Sequence, residues 1–225
     1  MATPLTLAGT ALAALPSGAL WWPDEAMLCV ADLHLGKSER IARHGGALLP
    51  PYETAETLDR LAADIARHAP RVVVCLGDSF DDRAGADALM PENSARLATL
   101  GAGRDWIWIA GNHDPAPLSV AGRHLAEVAR GPLTFRHIAR PVADGGEISG
   151  HWHPKARVAL RGRTISRPCF LTDGARLILP AYGAYTGGLR ADHPDLAALL
   201  SKSARAILTG TPALTVPLAA ATAPL

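Results

Sequence analysis

The sequence predicts an α/β fold, and three observations carry the prediction. Continuous apolar runs recur at AMLCVA (26–31), RVVVCL (71–76) and WIWIA (106–110). Runs of this kind, without polar alternation, read as strands buried on both faces. Helix-period segments separate them. From LTFRHIA (133–139) onward the runs shorten and are joined by Gly, Pro and Asp turns, which predicts a second, mixed or antiparallel sheet.

Taken in order, MATPLTLAGTALAALPSGAL lacks a basic leading region and is broken by Gly, Pro and Thr. It therefore reads as an opening strand and turn rather than a signal peptide. AMLCVA is a strand that ends in DLHLGK. Residues 53–68 form a helix, with Leu58, Leu61 and Ile65 on one face and Glu56, Asp59, Arg60, Asp64 and Arg67 elsewhere. RVVVCL is a strand ending at Gly77-Asp78. Residues 91–100 form a helix with Leu97 and Leu100 inward and Gly101 as its stop. WIWIA follows. Strand, helix, strand, helix, strand implies parallel pairing through right-handed crossovers.

AGRHLAEVA (121–129) reads as a further helix. LTFRHIA, GEISGHWH, RVALRG, TISRPCFLT and RLILPAYGAYTGG read as short strands. A helix is expected around 193–203, then a last apolar run, RAILTG, and a Pro-, Ala- and Thr-rich tail from Thr211 to Leu225 that is expected to pack loosely. With no repeat and no long linker, residues 1–225 are expected to form a single domain.

Composition narrows the function. The net charge is +1 and 48% of residues are hydrophobic, so any nucleic-acid contact must come from a local basic patch. Cys29, Cys75 and Cys169 are widely spaced. They read as buried thiols of a reducing, cytoplasmic compartment rather than a disulfide framework or zinc ribbon. No apolar stretch is long enough to span a bilayer, so no membrane partner is expected.

Polar clusters terminate four apolar runs: Asp32-Leu33-His34, Gly77-Asp78, Gly111-Asn112-His113-Asp114 and Gly150-His151-Trp152-His153. Ligands of α/β sheets bind beyond the carboxyl ends of strands. On an extended chain, residues two apart project to one side, so D-x-H and H-x-H can each supply two donors to one region. Trp152 then points the other way, into the core. Carboxylate, imidazole and amide donors without thiolate suit Mn²⁺, Fe or Zn²⁺, and their number fits two metals sharing a carboxylate. One D-x-H alone means little; four clusters in this order are a strong signal.

In these motifs the sequence resembles the calcineurin-like binuclear metallophosphoesterases, over about residues 26–155. The resemblance implies a four-layer αββα sandwich: two mixed sheets face to face, flanked by helices. It implies that Asp32, His34, Asp78 and His153 hold one metal ion, and that Asp78, Asn112, His151 and a separate histidine hold the other, with Asp78 bridging. His124 and His137 are the candidates for that histidine. His137 is preferred, because it follows the strand-like LTF whereas His124 sits in a helical pattern. His44, His68 and His193 are expected at the surface.

Two divalent ions, Mn²⁺ first with Fe or Zn²⁺ as alternatives, would neutralise phosphate charge and make hydroxide available at neutral pH. By the same resemblance His113 assists the leaving group, and Asp114 is expected to fix its tautomer.

ADLHLGKS, GHWHP, PCF and LPAYGAYTGG further resemble the ligase-associated DNA damage response endonucleases, over most of residues 26–190. That resemblance implies a DNA endonuclease acting in repair on single-stranded or distorted DNA, functionally associated with a DNA ligase and an exonuclease. GDSFDD departs from the pattern: Asp81 and Asp82 follow Phe80 where a histidine is expected. Lys37 and Arg40 are candidate phosphate contacts, and Tyr182 and Tyr185 candidate base-stacking residues. Lys155, Arg157, Arg161, Arg163 and Arg167 could equally be solvated strand faces, and the tyrosines core. A small-molecule phosphodiesterase or phosphatase using the same metals is the alternative activity. A non-catalytic scaffold is disfavoured, because every motif ligand is present.

Overall fold

The three apolar runs become the inner strands of a seven-stranded sheet. The computed structural model describes residues 1–43, 45, 52–115, 119–143, 145–160 and 162–221. His44, Arg161 and residues 222–225 of the expected tail lie outside them. In spatial and chain order the first sheet is β1 (Thr3–Leu7), β2 (Thr10–Ala14), β3 (Leu20–Trp22), β4 (Met27–Val30), β5 (Val72–Leu76), β6 (Asp105–Ile109) and β7 (Arg123–Leu125). β1 to β4 pair antiparallel, and β4 to β7 pair parallel. Between β4 and β5 run α1 (Lys37–Arg43) and α2 (Glu53–His68); between β5 and β6 run α3 (Arg83–Asp87) and α4 (Pro91–Gly101).

The second sheet holds β8 (Glu127–Arg130), β9 (Leu133–Arg136), β10 (Glu147–Ser149), β12 (Arg163–Thr172), β13 (Arg176–Ile178), β14 (Arg205–Leu208) and β15 (Leu214–Pro217), with β11 (Lys155–Leu160) forming a hairpin on β12. Its order is β15-β14-β12-β13-β10-β9-β8. Helix α5 spans Pro194–Leu199.

Continuous apolar strands arise because both faces of the first sheet are covered. Met27, Cys29, Val72, Val74, Ile107 and Ile109 pack against Phe135, Ile148, Phe170 and Leu177 of the second sheet. Leu28, Val30, Val73, Cys75, Trp106 and Trp108 pack outward against Leu58, Leu61 and Ile65 of α2 and Leu97 of α4. Each such side chain contributes roughly 1.5–3 kcal/mol on burial. Cys169, Leu171, Ile178, Ala206 and Leu208 pack beneath Leu196 of α5 and beside Ala156 and Val158 of β11. The result is the αββα sandwich, with an outer layer on the second sheet made of one short helix and a hairpin.

Three local expectations are corrected. AGRHLAEVA is not a helix: it forms β7 and β8, with Ala126 as the step from one sheet to the other. Leu125 and Val128 pack on the inter-sheet core, and that tertiary gain overrides a weak helix propensity. The tail is not loose throughout, because Leu214–Pro217 pairs antiparallel with β14 as an edge strand. The helix expected around 193–203 is limited to Pro194–Leu199. All three cysteines are buried and free. Among the described residues no helix is long and apolar enough to cross a membrane.

Candidate metal centre

The four polar clusters meet at one edge of the sandwich, beyond the carboxyl ends of β4, β5, β6 and β10. The backbone that delivers them is not extended as D-x-H and H-x-H suggest. Asp32, His34, Asp78, His151 and His153 all have positive φ, between 45° and 71°. A left-handed residue costs an L-amino acid roughly 1–2 kcal/mol, and such strain collects at functional sites. Repeated left-handed residues, rather than strand pleat, turn alternate side chains inward. Gly77, itself at φ 71°, permits the closest approach: a Cβ there would lie 2.5 Å from the His137 ring.

Two donor groups result. In the first, Asp32, His34 and His153 bring their ligand atoms within 4.8 Å of one another; in the second, Asp78, His137 and His151 do the same. His34 Nε2 lies 3.4 Å from His153 Nε2, and Asp32 Oδ1 lies 3.3 Å from His153 Nε2. His137 Nε2 lies 3.3 Å from Asp78 Oδ2, 2.9 Å from Asn112 Oδ1 and 3.3 Å from His151 Nδ1. The two groups adjoin, with Asp32 Oδ1 3.8 Å from His137 Nδ1. His124 takes no part; it sits on β7, its ring beside the Val120 carbonyl. His137 is therefore the separate histidine that the structure brings in.

Hydrogen bonds set which ring nitrogen faces inward. His34 Nδ1 donates to Asp81 Oδ1 (2.7 Å), and His137 Nδ1 donates to the Leu76 carbonyl (2.8 Å). Both leave Nε2 as the ligand atom, the usual way an outer partner fixes a metal-binding imidazole. His113 Nδ1 donates to the Asp81 carbonyl (2.7 Å), and its ring stands edge-on to His34 at 5.1 Å.

Asp114 does not orient His113. Its carboxylate accepts from the amides of Gly111 and Asp78 (3.0 Å each), Ser79 (2.8 Å) and Phe80 (3.2 Å). It buttons the β6 loop to the β5 loop. Burial raises its carboxyl pKa, against the pull of those amides.

Asp81, the departure from the expected motif, is buried and holds the surroundings together. Besides His34 it accepts from Arg40 Nε, and Lys37 Nζ stands 3.9 Å away. Burial would raise this carboxyl, but the hydrogen bonds from His34 and Arg40 bring it down to about 2. His34, Asp81 and His113 also lie within 4.8 Å of one another. With two cationic side chains already on Asp81, that group is a hydrogen-bonded support rather than a third ion site. Lys37 and Arg40 thus stand beside the centre, tied to Asp81.

Tyr182 is not available for stacking. It is fully buried, donates to Asp64 Oδ2 (2.8 Å) and lies under Arg60. It is an anchor for the loop over residues 181–185. Its amide and that of Gly183 donate to the Ala31 and Asp32 carbonyls, and a Cβ on Gly183 would lie 2.1 Å from the Leu33 carbonyl oxygen. Tyr185 is 43% exposed at the end of this loop. Trp152 packs on the outer core of the second sheet, as expected. His193 caps α5, while His68 packs against Trp21.

The first turn of α2 is a support that the sequence reading passed over. Buried Glu53 accepts from the Ser38 amide and hydroxyl, Thr54 Oγ1 accepts from the Gly36 amide, and Thr57 Oγ1 accepts from the Ala184 amide. These bonds fix both the first motif and the Tyr182 loop. The signal was present as polar residues at 53, 54 and 57 on the side of α2 that carries Leu58 and Leu61.

The donor set fits divalent cations. Asp32 Oδ1 is buried without a hydrogen-bond partner, a costly arrangement that a cation relieves. Burial alone would raise the Asp78 carboxyl; His137, by hydrogen bond and charge, and the His113 amide instead hold it well below the usual range. Burial lowers the His151 pKa, helped by His137. Anionic carboxylates and a neutral imidazole are the ligand forms.

Comparison with known proteins agrees with this geometry. A model of the calcineurin-like phosphoesterase family matches residues 27–176. No curated protein matches the chain. Among solved structures, the crystal structure of the Pseudomonas putida nuclease MPE is similar, at 29% identity and a TM-score of 0.74, covering 96% of this chain and 100% of that one.

Proposed function

The chain belongs to the calcineurin-like phosphoesterase family, and on that premise we propose that this metal-dependent phosphoesterase is a DNA endonuclease acting in repair on single-stranded or distorted DNA. The observation that carries the reading is the pair of adjoining donor groups with His113 beside them. The likeness to a nuclease of 29% identity supports the choice of a polymeric diester.

Asp32, His34, His153 and Asp78 would hold one ion; Asn112, His137 and His151 would hold the other, with Asp78 shared. When bound, the ions, Mn²⁺ first and Fe or Zn²⁺ as alternatives, neutralise phosphate charge and activate water. His113, with Nδ1–H committed to the Asp81 carbonyl, would act as an imidazolium that gives its Nε2 proton to the leaving oxygen. Asp114 keeps the His113 loop against the Asp78 loop. The protein is expected to work in a reducing cytoplasm, in keeping with its three free thiols, and alongside a DNA ligase and an exonuclease, as the family resemblance implies.

The test is incubation with Mn²⁺ and, in turn, single-stranded DNA, a cyclic nucleotide and a phosphomonoester. Cleavage of the DNA, abolished in Asp78→Ala, is expected. Hydrolysis confined to the cyclic nucleotide or the monoester would establish the small-molecule reading instead.

A further inference from the structure

A cleft of roughly 330 Å³ opens directly onto the second donor group. Gly111, Asn112 and His137 form its inner end, and Glu127, Ile138 and Arg140 stand toward solvent. Its size lies at the lower end of the ~300–1,000 Å³ typical of ligand clefts.

Beneath its rim lies a charged cluster that the metal chemistry does not use. Arg136 Nη1 donates to Glu147 Oε2 at 2.8 Å, and Arg176 Nη1 stands 3.5 Å from Glu147 Oε1. Arg136, Glu147 and Arg176 are all buried. Burying such a triad is expensive and is weak evidence for stability, so what it holds in place matters. It holds Arg140. The Arg140 amide donates to Glu147 Oε2 (3.0 Å), and the Arg140 carbonyl accepts from Arg176 Nη1 (2.9 Å). Both polar atoms of one residue's main chain are pinned, while its guanidinium is 52% exposed at the cleft mouth. There it pairs with Glu127 (3.2 Å), the carboxylate that Arg136 also contacts at 3.2 Å. Beside them Ile138 is 46% exposed.

We propose that this cleft is the subsite for the nucleotide next to the scissile bond, with Arg140 as a pre-positioned clamp on its phosphate and Ile138 as an apolar floor for its sugar or base. The proposal rests on the nuclease reading above. A guanidinium suits phosphate because its planar donors can engage two oxygens at once. When the strand arrives, the phosphate replaces Glu127 as the partner of Arg140, and Glu127 keeps Arg136. Because Arg140 is held through its main chain, its side chain is rooted at one place in the cleft that Asn112 and His137 also line. A small diester that fills only the metal centre does not reach it.

The experiment measures Mn²⁺-dependent cleavage of a single-stranded oligonucleotide and of bis(p-nitrophenyl) phosphate by wild type, Arg140→Ala and Glu127→Gln over a range of salt. Arg140→Ala is expected to raise KM for the oligonucleotide about tenfold, as loss of a charged hydrogen bond does. Its salt slope should become shallower by roughly 0.7, the value for one phosphate on a single strand. The ratio of oligonucleotide to small-diester activity should fall with it. Glu127→Gln removes a competing carboxylate and is expected to lower the oligonucleotide KM, a gain that damage to the fold would not produce. If wild type cleaves both substrates and Arg140→Ala leaves the oligonucleotide KM unchanged, or weakens both activities equally, the clamp is refuted while the nuclease reading stands. If wild type hydrolyses the small diester but never the oligonucleotide, the nuclease reading falls and the clamp with it.

Discussion

The Asp81 carboxylate accepts from His34 Nδ1 at 2.7 Å, so a residue outside both donor groups decides which nitrogen His34 presents to the first one. Asp81 also ties down Arg40. Asp81→Ala should therefore weaken binding at the His34 group by about 10–100-fold, the usual effect of losing such an outer partner, and should leave the Asp78 group near its original affinity. Two-site calorimetric titration with Mn²⁺ reads both constants. Equal affinity at both sites before and after substitution would show that Asp81 does not orient His34.

His113 and Asp114 are adjacent in sequence but do different work, and their variants should separate cleanly. His113→Ala should keep both ions and the folding stability, and lower turnover ~10²–10⁴-fold on a diester that needs leaving-group protonation. Asp114→Ala strands four main-chain amides and should cost roughly 3–5 kcal/mol of stability. Denaturant unfolding of the two proteins, with metal content measured beside it, checks the pair. Metal loss in the His113 variant would reassign that imidazole as a ligand.

Five candidate ligands sit in left-handed backbone, and Asp32 Oδ1 is buried without a hydrogen-bond partner. The ions that relieve these costs should act as folding ligands. At a free concentration of 100 times the dissociation constant, one site adds about 2.7 kcal/mol. Calorimetric unfolding with and without a chelator should show a large drop in Tm on metal removal. An unchanged Tm would mean the loops hold their shape without help.

Tyr182 gives a pH-dependent test of its structural role. Burial, with the nearby Asp64 charge, pushes its hydroxyl well above the ordinary range. An unfolded tyrosine titrates near ~10, so above that pH the unfolded chain binds fewer protons than the folded one. Stability from this group is fully present below about pH 10 and is lost as pH rises further. Tyr182→Phe should remove that alkaline component and cost ~1–2 kcal/mol at neutral pH through the lost bond to Asp64, with little change in KM for DNA. A strongly raised KM without instability would restore the stacking role.

Much of the site was legible because polar side chains at the ends of apolar runs violate the pattern that the core imposes. Asp32, Asp78, Asn112 and His151 stand out on that ground alone. His137 could be separated from His124 only by its following LTF; in the structure His137 lies beside Asp78 and His151, and His124 lies beside the Val120 carbonyl. What escaped was set by contacts between distant segments. The family resemblance pairs Asp114 with His113, but the four amides it accepts from lie at two strands' ends. For Tyr182 the sequence leaves base stacking and a core role equally open, and only the enclosure by α2 and Asp64 decides for the core. The helical look of AGRHLAEVA gave way for the same reason, since Leu125 and Val128 gain more from two sheet edges than from their own turn.

Asp32, His34, Asp78 and Asn112 follow strands of the first sheet, whereas His137, His151 and His153 come from the loops of the second. The proposed reaction centre is therefore a seam. A polypeptide severed between Asp114 and Leu133 would leave each fragment with half a coordination sphere, and reactivity would return only as the fragments reassociate. Reconstitution of turnover would then report, stitch by stitch, how well the two faces of the sandwich recognise each other.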